Sequence, residues 1–323
     1  MKNVALLVPY DYKLLSIAAI LDVLETVNRT YRDNRRPTPF NVYIIRTPEQ
    51  IEKDGRSFHG YPVRSLSYGQ RADLVFIPSF TTVDMTETLQ RNKAFLPWLG
   101  GQYKAGAEIA SFCTGAFLFA ASGLLNGKVA TTHVDACPAF AAAFPSVRLR
   151  PEQTVTVDER CYTSGGSTTT FHLLILLIQK HCNNETAVRI SKVFSIDMDR
   201  YRQSYFSTFR PDYSHNDVLV KTIQKNIEAN YLNINTIDEI VKQLPASRRN
   251  IVRRFKQMTG IPPIEYLQQV RVARAKRQLE QTDLSIAEII FDTGYSDPKS
   301  FRKIFHKLVG MTPLEYRDKF RVK

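Results

Sequence analysis

The hydrophobic pattern changes character about two thirds of the way along the chain. Up to roughly residue 180, short apolar runs alternate with stretches of helical spacing. Val4–Val8 is an unbroken apolar run closed by Pro9, and Leu14–Val27 follows with apolar residues at helical intervals. Phe40–Ile45, Leu74–Ile77 (stopped by Pro78) and Glu108–Phe112 are further runs of strand length. Continuous apolar strands separated by helices are the mark of a parallel sheet covered on both faces, so an α/β sandwich is predicted. Val155–Val157 and Cys161–Thr163 predict a hairpin turning at Asp158-Glu159-Arg160. Phe171–Gln179 reads as a strongly apolar core helix, and Asn184–Phe194 as another.

The stretch Asp197–Asn216 is polar, aromatic and irregular, with Tyr201, Tyr205, Phe206, Arg210, Pro211 and Asp212, and reads as a linker. Beyond it strand signals vanish and the chain is helical to its end. The predicted division is an α/β domain over 1–195, a linker over 196–216 and an all-α domain over 217–323.

The all-α part contains an internal repeat. Thr236-Ile-Asp-Glu-Ile240 returns as Ser285-Ile-Ala-Glu-Ile289, each with the capping-box order of hydroxyl, two residues and Glu before an apolar run. Gly260-Ile-Pro-Pro-Ile-Glu-Tyr266 returns as Gly310-Met-Thr-Pro-Leu-Glu-Tyr316, with Phe255 and Phe305 each five residues before the glycine. Each copy reads as a first helix (Thr236–Gln243, Ser285–Asp292), a break (Leu244-Pro245-Ala246, Thr293-Gly294-Tyr295) and a second helix. Ser247 caps the second helix of copy one. In copy two Asp297 caps, and Pro298 stands where a missing amide costs nothing. This is the helix-turn-helix layout.

Charge sharpens the picture. Of the net +13, +8 lies from Asp217 onward, where 20 basic residues face 12 acidic ones. The second helices are basic and free of acid: Ser247–Lys256 carries Arg248, Arg249, Arg253, Arg254 and Lys256, and Lys299–Lys307 carries Lys299, Arg302, Lys303 and Lys307. Solvated faces normally mix both signs, so an anionic partner, double-stranded DNA, is indicated. Pro262–Gln281 between the copies reads as one helix of roughly 30 Å. That is close to the ~34 Å between successive major grooves, so one chain could read two half-sites.

The region Asp217–Phe320 resembles the AraC/XylS-type DNA-binding domain, above all in Thr282–Ser296 and in Phe305 through Pro313 to Tyr316. The resemblance implies base-reading roles for Arg249, Val252 and Arg253 in the first unit, and for Pro298, Lys299, Arg302 and Lys303 in the second. Arg and Lys suit guanine O6 and N7, whereas Val252 suits a thymine methyl. Arg248, Arg254 and Lys307 are assigned to phosphate. Pro245 departs from the family's usual glycine in the first turn.

In the first domain, Ala110-Ser-Phe-Cys113-Thr114-Gly115-Ala116-Phe117 places a cysteine between a strand and a helix. A helix N-terminus favours a thiolate, and small residues permit a tight nucleophile-elbow turn. His133, in Thr131-Thr-His133 with Asp135 nearby, is a candidate base. Ala110–Ala121, Gly123–His133 and Thr163-Ser-Gly-Gly166 resemble the ThiJ/PfpI superfamily (class I glutamine amidotransferase-like) over about residues 3–195. This implies a flavodoxin-like sandwich, and both domains together resemble the GlxA group of regulators. Superfamily hydrolases place an acidic residue after the first strand, for which the resemblance implies Asp11; superfamily peptidases have His directly after the cysteine, and here Thr114 stands there.

The expected function is therefore DNA-binding transcription regulation, not catalysis. A small effector of unknown identity is expected in a pocket at Cys113, Thr114 and His133, and dimerisation through the α/β domain is suggested. The alternatives are a cysteine-dependent hydrolase or amidotransferase with a DNA-binding tail, and a redox sensor using Cys113. Neither metal nor cofactor is expected: Cys113, Cys137, Cys161 and Cys182 show no CxxC spacing. With no apolar segment of spanning length and too short an apolar N-terminus for a leader, a cytoplasmic location is expected.

Overall fold

The computed structural model describes residues 1–198, 203, 206, 209, 211–213, 215–234, 236–241 and 247–321. The chain divides into two compact units, Met1–Gln203 and Ser204–Lys323.

The first unit is built on ten strands: β1 (Lys2–Leu7), β2 (Phe40–Arg46), β3 (Ser57–Phe58), β4 (Tyr61–Ser65), β5 (Leu74–Ile77), β6 (Glu108–Phe112), β7 (Val129–Ala130), β8 (Arg148–Leu149), β9 (Val155–Asp158) and β10 (Cys161–Ser164). Eight of them form one sheet in the order β3-β4-β2-β1-β5-β6-β10-β9. The run from β4 to β10 is parallel, with β3 and β9 antiparallel at the edges. Among the described residues eight α-helices accompany it: α1 (Leu14–Asp33), α2 (Pro48–Asp54), α3 (Met85–Arg91), α4 (Phe95–Lys104), α5 (Gly115–Ala121), α6 (Cys137–Ala143), α7 (Thr169–His181) and α8 (Asn184–Val193).

Strand alternation sends side chains to opposite faces. Val4, Leu6, Ile44, Phe76 and Phe112 pack against α1, α7 and α8. Ala5, Leu7, Ile45, Val75, Ile77 and Ile109 pack against α4, α5 and α6. Both faces are thus apolar, which is why the strands read as unbroken hydrophobic runs. Helix α1 runs six residues beyond the expected Val27. Strands β3 and β4 were not evident in the pattern, because Tyr61–Ser65 buries only Val63 deeply.

The second unit is helical: α9 (Val218–Asn230), α10 (Ile237–Val241), α11 (Arg248–Thr259), α12 (Pro263–Gln281), α13 (Ile286–Asp292), α14 (Pro298–Val309) and α15 (Pro313–Phe320). The predicted caps are in place. Ser285 and Glu288 form a reciprocal capping box. Ser247 accepts from the Asn250 amide, and Asp297 from those of Lys299 and Ser300. Thr236 accepts from the Glu239 amide (3.3 Å). Gly260 and Gly310 end α11 and α14 in the left-handed conformation. The expected break Leu244-Pro245-Ala246 and the end of the first helix at Gln243 lie outside the described residues.

Two small cores hold this unit, and α12 serves both. Tyr266, Leu267 and Val270 pack with Ile251 and Phe255. Val272, Ala275 and Leu279 pack with Phe301 and Phe305. The repeat persists in the contacts. Phe255 meets Tyr266 edge-on (5.3 Å) as Phe305 meets Tyr316 (5.8 Å). Tyr266 donates to Glu228 (2.6 Å) as Tyr316 does to Glu280 (2.5 Å).

The described part of the expected linker is shared out. Ile196 and Met198 pack on the first unit's core. Phe209 packs on the second unit's core, and the Tyr213 hydroxyl donates to Glu228 (2.7 Å).

Candidate nucleic-acid interface and effector site

Helices α11 and α14 each bury one stripe and present the opposite one. Ile251 and Phe255 are buried in α11, as are Phe301, Phe305 and Val309 in α14. At helical spacing this leaves Arg248, Arg249, Arg253 and Lys256 exposed on α11, and Lys299, Arg302, Lys303 and Lys307 exposed on α14. Val252 and Pro298 are half-buried among them. The cations differ in their engagements. Arg248 pairs with Asp238 of α10 (3.2 Å). Arg253 reaches Asn250 on its own helix (3.3 Å). Arg254 forks onto Asp217, the α9 cap, through Nε (2.9 Å) and Nη2 (2.8 Å). Those hydrogen bonds hold the Asp217 carboxyl below the usual carboxylate range.

What sets one helix-turn-helix copy against the other is Arg271, in the middle of α12. It is buried, and it donates to the carbonyls of Tyr231 (2.9 and 2.7 Å) and Ile234 (2.8 Å) between α9 and α10. Its guanidinium also lies 5.0 Å from the Tyr295 ring centroid, in the turn of the second copy. Gly294 in that turn has φ +83°, and a Cβ there would come within 2.8 Å of the Arg271 guanidinium. Arg271 was not singled out in the sequence, where it is one basic residue in a basic helix.

In the first unit the C-terminal ends of β5, β6 and β10 converge, the usual place for a ligand site in an open parallel sheet. Cys113 follows β6 with φ +53° and is 1% exposed. The turn is held by Cys113 N donating to the Ser164 carbonyl (3.0 Å) and by the Thr132 hydroxyl donating to the Cys113 carbonyl (3.0 Å). Thr114 Oγ1 donates to the Phe80 carbonyl (2.7 Å) and accepts from its amide (3.0 Å). His133 opens a short 3-10 turn and accepts from the Asp135 amide through Nδ1 (3.2 Å). Its ring flanks Gly166.

Burial is the main influence on both titratable groups of the site. Burial pushes the Cys113 thiol up, against opposing hydrogen bonds from Thr114 and the field of Lys13. Burial pushes His133 down; Asp135 opposes this and Lys13 adds to it. Among the described residues no hydrogen bond joins Cys113 to His133. Asp11 is turned onto Arg91 (2.8 Å). Lys13, whose charge reaches both Cys113 and His133, was not picked out in the sequence. Nor was Gln203, which contacts Thr131, Thr132 and Gly166. All four cysteines are free. Among the described residues no cluster suits a metal ion, and no helix is long and apolar enough to cross a membrane.

The architecture defines a class: an elbow-bearing parallel-sheet domain followed by two helix-turn-helix units on one shared helix. Residues 240–319 match the family described as a helix-turn-helix domain, and residues 67–180 match the DJ-1/PfpI family. The chain thus joins a stretch similar to the DJ-1/PfpI family to one similar to a helix-turn-helix domain. It is 27% identical over 222 residues to the HTH-type transcriptional regulator GbdR of Pseudomonas aeruginosa (strain UCBPP-PA14), covering 68% of this chain and 60% of that one. It is 26% identical over 217 residues to the HTH-type transcriptional regulator GlxA of Rhizobium meliloti (strain 1021), covering 65% of each. The matched stretches thus span less than two thirds of these relatives. A crystal structure from Vibrio parahaemolyticus shares the fold at 21% identity and a TM-score of 0.50, over 59% of this chain and 98% of that one.

Proposed function

We propose that this chain is a sequence-specific DNA-binding transcription regulator, controlled by a small molecule bound in its α/β unit and acting in the cytoplasm. The observation that carries the reading is the pair of acid-free helices, α11 and α14, presenting cations from cores that share α12. With 19 residues, α12 is about 28 Å long, which suits adjacent major grooves. Arg249, Val252 and Arg253 read bases in one half-site; Pro298, Lys299, Arg302 and Lys303 read them in the other. Arg248 and Lys307 hold phosphates, while Arg254 supports the helix through Asp217. The GbdR and GlxA names point to the same activity.

The α/β unit is a sensor in this reading, not a catalyst. A buried thiol held protonated, a histidine without a bond to it and an acid committed to Arg91 fit ligand recognition better than covalent catalysis. Two α/β units pairing would give a homodimer. Genome-wide footprinting with the purified full chain tests the proposal. Two protected half-sites about one helical turn (10–10.5 bp) apart are expected. Protection without sequence preference would overturn it.

A further inference from the structure

Gln203 belongs by sequence to the polar stretch between the domains, yet it is 1% exposed and its carboxamide is held on every side. Nε2 donates to Thr131 Oγ1 (3.1 Å) and to the carbonyls of Thr132 (2.9 Å) and Pro151 (3.1 Å). Oε1 accepts from the Gly166 amide (3.0 Å). The Gln203 backbone amide adds a bond to the Glu152 carbonyl (2.9 Å). The orientation of the amide is dictated by its surroundings. Two of the partners are carbonyls and can only accept, and the Gly166 amide can only donate. Thr131 Oγ1 has committed its own proton to the Gln153 carbonyl (3.1 Å), so toward Gln203 it accepts.

The seat is part of the fold. Thr131 and Thr132 are fully buried, and the Thr131 amide donates to Thr163 Oγ1 (2.7 Å). Gly165 makes the room: a Cβ there would stand 1.9 Å from Gln203 Oε1. The seat adjoins the elbow, because Thr132 holds the Cys113 carbonyl and His133 flanks Gly166.

Three acceptors and one donor make a selective pattern. A carboxylate would set an anionic oxygen against three acceptor oxygens. An ammonium would leave the Gly166 N–H without an acceptor. A primary carboxamide engages all four partners, its oxygen accepting from Gly166 and its two N–H groups shared among the three acceptors. We propose that Thr131, Thr132, Pro151, Gly165 and Gly166 form a carboxamide-binding subsite that Gln203 occupies as a tethered ligand. A small molecule bearing a primary carboxamide enters by displacing it. Gln203 is the last residue of the first unit, so its displacement alters how the chain leaves that unit. The regulatory consequence rests on the sensor reading above; the subsite does not.

A tethered group competes at an effective concentration of about millimolar. The test therefore compares the full chain with its Gln203→Ala and Gln203→Ala/Gly165→Ala variants by calorimetry, with propionamide and propionate as probes. Gln203→Ala is expected to bind propionamide at least tenfold more tightly than the parent and to leave propionate unbound. The double variant is expected to lose propionamide. Equal binding by parent and Gln203→Ala, equal binding of the two probes, or retention in the double variant would overturn the subsite. If Gln203→Ala is misfolded by circular dichroism, Gln203→Glu empties the seat by repulsion and carries the same expectations.

Affinity for the strongest footprinted site, with and without propionamide, separates the two ideas. Probe binding to the parent chain at saturating propionamide without any change in its DNA affinity keeps the subsite and sinks the sensor reading at this seat. A DNA affinity that propionamide changes equally in the parent and in the Gln203→Ala/Gly165→Ala variant does the reverse.

Discussion

Gly115 shows how closely the elbow is built. A Cβ at this position would lie 2.6 Å from both the Ile77 and Pro78 carbonyl oxygens. Gly115→Ala is expected to destabilise the chain by about 1–3 kcal/mol through overpacking, read as a lower urea midpoint. Neighbouring arginines on α11 make a sharper comparison. Arg253→Ala should weaken binding to the specific site by about 1–3 kcal/mol and relax its specificity. Arg254→Ala frees Asp217 and should lower stability, weakening specific and random DNA binding alike. Equal loss on both DNAs for Arg253→Ala would refute base reading. The basic stripe was legible in the sequence because it depends only on helical spacing. That Arg254 belongs to Asp217 was not, since the partners are 37 residues apart and meet only through packing. Gln203 was illegible for a related reason: a lone glutamine in a polar stretch carries no pattern, and its burial comes from the space left at Gly165.

Among the elements, the joint between α9 and α11 carries a pH dependence. Hydrogen bonds from Arg254 are the main cause of the lowered Asp217 value, and the Val220 amide adds to it. A carboxylate depressed in the folded state contributes stability above its unfolded pKa of about 4, and that contribution is lost as pH falls through the folded value. The urea midpoint of the helical unit should therefore decline on acidification below about pH 4. Asp217→Asn should lower the midpoint at neutral pH and flatten the acid decline; an unchanged acid profile would remove Asp217 from the account.

Arg271 joins elements on both sides of α12. Arg271→Met keeps much of the volume but leaves the Tyr231 and Ile234 carbonyls without their donor, at an expected cost of about 1–3 kcal/mol. Binding to paired half-sites should suffer more than binding to a single one in gel-shift titrations. Element boundaries in this unit were readable where a cap marks them: Ser247, Ser285 and Asp297 all start helices as expected. In the α/β unit the buried strands announced themselves by unbroken apolar runs. Strands β3 and β4 did not, because two short strands with few deeply buried side chains leave no such run.

At the scale of the whole molecule, the division into two units was visible as a change of periodicity, and the repeat as a recurrence of caps and aromatics. What a single sequence does not display is the economy of the second unit, where one helix walls two cores. Because α12 contributes Tyr266 and Val270 to one core and Val272 and Leu279 to the other, neither reading helix can turn about it without breaking a core. The two heads are in effect a caliper with a locked hinge. DNA is a screw, so such a caliper is sensitive to rotation as well as distance. Five base pairs inserted between the half-sites turn one of them by about half a revolution, out of reach, while ten restore the face but double the span. Both insertions should reduce affinity to that of a single half-site. Recovery at ten would mean that the hinge opens.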